Sequence, residues 1–116
     1  MFEQPLRALV DPRRDPPVAT DSRGRARRWS HWYPCAVPAR MRIGANEHDV
    51  RCVDVGYGGV CVLADSQVRP AEGQEALVTS QTESGLYGDN LIVVDTEPAP
   101  QGTYVRLKLS DLDSPQ

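Results

Sequence analysis

The sequence predicts an all-β fold: a small antiparallel barrel of six strands carrying a flexible N-terminal arm. Short apolar stretches recur at regular spacing from residue 33 onward, several with clean two-residue alternation. Turns bearing Gly, Pro or Asn separate several of them, at residues 44–47, 56–59 and 98–102. No stretch after residue 33 holds a sustained helical period, and six strands closed into a barrel leave no free edge within so short a chain. One chain of 116 residues is one domain with a small core.

Residues 1–22 read as a Pro/Arg-rich tail, with Pro5, Pro12, Pro16 and Pro17 among arginines and aspartates. Leu6, Leu9 and Val10 fit one helical turn; the rest has too little apolar surface to offset its ordering entropy. Residues 23–32 form a basic arm, in which Gly24 and the charge density oppose a helix. The barrel domain spans 33–110. Its first strand is expected over 36–43, with Pro38 pushing it toward an edge or a bulge, and 44–47 are a turn. Strands over 49–55 and 59–63 flank a loop with glycines at 56, 58 and 59, which permit positive φ or a close approach. Val60 and Val62 face opposite to Cys61 and Leu63, so this strand is apolar on both faces and central. A loop over 64–73 leads to a strand over 75–79, a polar turn over 80–84 and a buried strand over 86–95. In the last strand, 103–109, Val105, Leu107 and Leu109 point inward and Tyr104, Arg106 and Lys108 outward. Residues 111–116 are a short polar tail.

The net charge of -3 is unevenly spread. Residues 1–32 hold seven arginines against Glu3, Asp11, Asp15 and Asp21, a net +3 that leaves the remainder at -6. A basic arm on an acidic body suits an anionic ligand, or lies on its own body as a solvated arm. The acidic body opposes a small nucleic-acid-binding barrel built on the arm and the two tryptophans. Cys35, Cys52 and Cys61 show no C-x-x-C spacing and read as reduced core residues of a cytoplasmic protein. His31 and Cys35, like His48 and Cys52, are four apart, a spacing that joins ligands on a helix and not on a strand, so no metal is expected. There is no secretory pattern and no apolar run of membrane-spanning length. No Ser/His/Asp or Cys/His arrangement and no phosphate loop of the Gly-x-x-x-x-Gly-Lys type is present, so no catalytic residue is assigned.

The arginine cluster, the strand entry Tyr33, Pro34, Pro38, Ala39 and Arg40, and Asp54 followed by Gly59 between two strands together resemble the PilZ domain over about residues 23–110. That family binds cyclic di-GMP through Arg-x-x-x-Arg in an N-terminal arm and Asp/Asn-x-Ser/Ala-x-x-Gly on a strand-turn-strand. The resemblance implies a single-domain receptor or adaptor that couples the nucleotide to a protein partner, with no cofactor, no membrane and no specific nucleic acid. Asp54 and Gly59 occupy the family's Asp and Gly positions, and Gly56 stands where the family has Ser or Ala. For the arginine pair there are two registers: Arg28 with Trp32, or Arg23 with Arg27. The family usually adds a helix after the last strand, which residues 110–116 do not supply unless the N-terminal segment replaces it.

The chemistry of these residues suits such a ligand. Arginine forks match guanine O6/N7 and phosphate oxygens. Asp54 can accept from a guanine N1–H and N2–H edge. A Ser hydroxyl absent at 56 removes about 1 kcal/mol. Trp32 in place of an arginine forgoes a charge-assisted pair and recovers about 1–3 kcal/mol by stacking on a base, unless it joins Trp29 in capping the barrel. The alternative function is a degenerate domain that keeps the barrel, has lost the nucleotide and acts as a protein interaction module.

Overall fold

The computed structural model describes residues 4–9, 32–56 and 58–110, with Trp32 in its backbone alone. Six antiparallel strands run β1 (Trp32–Ile43), β2 (Asn46–Gly56), β3 (Gly59–Ala64), β4 (Glu75–Thr82), β5 (Gly85–Ala99) and β6 (Gly102–Leu109), preceded by a 3-10 turn, η1 (Leu6–Leu9). They close in the order β1-β2-β3-β6-β5-β4. The all-β, six-stranded reading holds.

Strand lengths differ from the sequence reading where pairing overrides local signals. β1 begins at Trp32 because Trp32, Tyr33 and Pro34 pair with Gly56, Val55 and Asp54. The first hairpin turn needs only residues 44–45, Gly44 supplying a left-handed φ of 61°. Ser80 to Thr82 belong to β4 and not to a turn, since they pair with Tyr87, Leu86 and Gly85. β5 runs past its apolar centre to Ala99 because Glu97, Pro98 and Ala99 pair with Tyr104, Thr103 and Gly102. Gly102 is required there: a Cβ would overlap the Ala64 carbonyl oxygen.

The barrel closes most sparingly at β1–β4, where only Arg40, Met41 and Arg42 pair with Thr79, Val78 and Leu77. Pro38 ends that ladder. Its carbonyl oxygen faces β4 and accepts from Ser80 Oγ at 2.8 Å, so the N–H that proline lacks would have faced β4 too.

Inside, Met41, Cys52, Val55, Val60, Val62, Val78, Leu91, Val93, Val105 and Leu107 form one core. Leu6 joins it, only 1% exposed. Gln4 pairs in parallel with Tyr87, its N–H donating to the Leu86 carbonyl at 3.4 Å and its carbonyl accepting from Gly88 N–H at 2.8 Å. The Leu6 N–H donates to Asp89 Oδ2 at 2.9 Å. β6 stops at Leu109 while β5 continues to Gly85, and this segment covers the β5 edge left over. Residues 4–9 are therefore part of the barrel body.

Candidate ligand site

Two bulges shape the outer face. β2 gains one residue against β3 between Cys52 and Asp54, and β5 gains one against β6 between Val93 and Asp95. In each case the extra residue is a valine, Val53 or Val94, directly before an aspartate. Bulges re-aim the side chains that follow them. Here they turn Asp54 and Asp95 onto the outer face, where Asp54 is the register partner of Cys61, Cys61 of Arg106, and Arg106 of Asp95. One row thus crosses four strands as Asp54, Cys61, Arg106, Asp95. The next row toward the β2–β3 turn is Gly56, Gly59, Lys108, Ile92.

The first three members of the Asp54 row are covered, and Asp95 at its end is partly exposed. Asp54 is 7% exposed, Cys61 0% and Arg106 9%. The Arg106 Nε donates to Asp95 Oδ1 at 2.7 Å, and its Nη2 to Glu97 Oε1 at 2.9 Å. Burial works to lower the guanidinium pKa, but the Glu97 hydrogen bond and the Asp95 charge and hydrogen bond prevail and raise it. Arg106 is therefore a fixed cation. Its outward direction matches the sequence reading, while its burial does not follow from alternation.

The turn is held from below. Gly56 and Gly59 pair with each other in extended strand, and the Leu109 N–H donates to the Gly58 carbonyl at 2.9 Å. Gly56 and Gly59 carry no side chains and are buried. Pro5, Leu6 and Arg7 approach them on the side of Asp89 and Leu109, leaving a crevice of about 20 Å3. Wider clefts of about 460 Å3, bordered by Arg42, Glu75, Asn90 and Ser110, and about 370 Å3, bordered by Pro38, Asp49, Ser80 and Gln81, include none of Asp54, Gly56 and Gly59.

Of the residues singled out from sequence, Asp54, Gly56 and Gly59 come together on this face, and the Trp32 backbone pairs with Gly56. Arg23, Arg27 and Arg28 lie outside the described residues, as do Trp29, His31 and Tyr57. Sequence reasoning missed Arg106, Asp95, Glu97, Lys108 and Arg7 as neighbours of the loop. Alternation marked 106 and 108 as outward, but nothing local says that β6 lies beside β3.

The cysteines are free and buried. A hydrogen bond with Cys35 and then burial push the Cys52 thiol well above its ordinary value. His48 and Cys52 share one strand four residues apart, about 13 Å, which is too far to share an ion. Among the described residues no group of three His, Cys, Asp or Glu is placed to hold a metal, and no helix is long and apolar enough to cross a membrane. No protein-family model matches the chain, and no curated protein matches it.

Proposed function

We propose that the chain is a cyclic di-GMP receptor built on one PilZ-like barrel, acting in the cytoplasm by coupling the nucleotide to a protein partner. One observation carries the reading. The bulge at Val53 turns the Asp54 carboxylate onto the same outer face as Gly56 and Gly59, so an acceptor for a guanine edge stands beside backbone that a ligand can approach without meeting a Cβ. The arm arginines Arg23, Arg27 and Arg28 would supply cationic contacts from above, and Trp32 a stacking surface at the head of β1. Three free, buried thiols suit a reducing compartment.

Calorimetric titration of the full chain with cyclic di-GMP tests this. Micromolar binding that is lost in Asp54→Ala and weakened in the double variant Arg27→Ala/Arg28→Ala is expected. No heat at high micromolar ligand sinks the reading.

A second reading has its own observation. Asp54 and Cys61 are already buried, so a nucleotide must displace whatever covers them. A degenerate domain that keeps the barrel as a protein interaction module needs no such exchange. It is favoured if the same partner is captured with and without the nucleotide, and ligand-dependent capture counts against it.

A further inference from the structure

We infer that the outer face of the β1–β2 hairpin is a self-association surface, where two copies of the chain meet about a two-fold axis with Arg51 of each over Asp49 of the other. The inference stands apart from the nucleotide reading. Val50 and Cys52 are buried in the core, so Asp49 and Arg51 project outward from β2 on one face. They lie about 7 Å apart along the strand, and both are exposed. Arg40, the register partner of Asp49, binds Glu47 Oε1 at 3.3 Å and Asp49 Oδ1 at 3.4 Å, yet the Asp49 side chain stays 88% exposed. Asp49 therefore has room for a second cation. Among the described residues, Arg51 has no ion pair and no side-chain hydrogen bond. Its register partners are apolar, Pro38 on β1 and Leu63 on β3.

An acid and a cation two positions apart on one strand face are complementary to themselves. A two-fold axis lying between two copies, across β2 at the level of Val50, reverses the strand and lays position 51 over 49 and 49 over 51. Both contacts form together, each a charge-assisted pair. The same axis lays Pro38 of one copy over Arg40 of the other, so the proline ring meets the carbon stem of the arginine. Each half then gathers Arg40 and the second copy's Arg51 against Glu47 and Asp49, two charges of each sign. An axis along the strand would instead set Arg51 on Arg51 and Asp49 on Asp49, an arrangement opposed by repulsion. Reciprocity is what selects a second copy over an unrelated partner. A foreign acid could meet Arg51, but the exposed side of Asp49 would then go unmatched.

The test is sedimentation velocity of the full chain without nucleotide, at concentrations rising into the hundreds of micromolar and at physiological salt. Wild type should pass from monomer to dimer. Arg51→Glu and Asp49→Arg should each associate at least about tenfold more weakly, because each sets like charges over one another at both ends of the axis. An equimolar mixture of the two variants sets an acid over a cation at both ends and should regain the dimer. Arg69→Ala, a change at an exposed arginine whose Nε donates to the Ser66 carbonyl in the β3–β4 loop, should match wild type. Thermal melts of the variants should also match wild type, since both positions are exposed. Wild type that stays monomeric throughout, single variants that associate as well as wild type, or a mixture that stays monomeric would each overturn the inference, and none of these results touches the nucleotide reading.

Discussion

Arg106 and Asp95 are register partners on adjacent strands, joined by a 2.7 Å hydrogen bond from Nε to Oδ1. The pair sits on the outer row that ends at Asp54. The Asp95 side chain is 38% exposed and that of Arg106 only 11%, so the two ends of the bridge are unequal. Removing the buried cation leaves two acids facing each other, whereas removing the exposed acid leaves Arg106 with Glu97. Arg106→Ala should destabilise the barrel by about 2 kcal/mol, and Asp95→Asn by less than about 1 kcal/mol after solvent screening. Urea denaturation of both variants measures the difference, and equal losses would contradict the asymmetry.

Asp89 should make stability depend on pH in the less usual direction. Burial raises its carboxyl above the ordinary value, against the Leu6 N–H and the Arg7 charge, which lower it. The folded chain then holds this proton more tightly than the unfolded chain. The contribution to stability is unfavourable above the folded pKa and disappears as pH falls through it toward the ordinary carboxylate range. Asp89→Asn keeps an oxygen for the Leu6 N–H and carries no charge to desolvate. It should be at least as stable as wild type at neutral pH, and the gap should close as the solution is acidified. A gap independent of pH would show that the Asp89 proton is not its source.

Leu6→Ala tests whether the N-terminal turn belongs to the core. A tail residue would change nothing. A leucine buried among β-strand side chains should cost about 2–3 kcal/mol on truncation, read as a lower urea midpoint with little change in slope.

Gly102→Ala should be among the most damaging single-methyl changes in the chain. The added Cβ meets the Ala64 carbonyl, which is backbone and cannot swing aside. The β3–β6 ladder pairs Ala64 with Thr103, next to that point, so the strands must separate locally. A loss of about 2–3 kcal/mol or more is expected, whereas Gly44→Ala, with open space around it, carries only the strain of its φ, about 1 kcal/mol.

All three thiols should resist alkylation in the native protein and react together on unfolding. Cys35, Cys52 and Cys61 are buried, and Cys52 is held protonated by Cys35 and by burial. Mass spectrometry after brief iodoacetamide treatment, with and without urea, distinguishes this from one accessible thiol.

Much of the fold could be read from residue patterns because alternation is a local property. The inward set Val105, Leu107 and Leu109 and the doubly apolar β3 were visible as such. What alternation could not supply was adjacency. β3 and β6 are distant in sequence, so the row from Asp54 to Asp95 exists only once the ring is closed. The valine bulges were equally silent, since Val53 and Val94 look like ordinary strand residues until the register on either side is counted. Of the candidate site, Asp54, Gly56 and Gly59 were legible because they share one turn. Lys108 was not, since it reaches Gly59 only by the pairing of β6 with β3. Ser80 was misread as turn-forming because its polarity suggested solvent, when its hydroxyl is taken by Pro38.

The bond from Leu6 to Asp89 spans 83 positions along the chain. On the ribosome, residues 4–9 emerge well before β5 and are therefore among the last to find their place. Gln4 and Leu6 have no partner until β5 has been synthesised and has paired with β4. Until then the nascent chain carries Leu6 exposed beside a half-built sheet with an open edge, a state that a holding chaperone would recognise. Docking of residues 4–9 is the step that completes the body of the barrel.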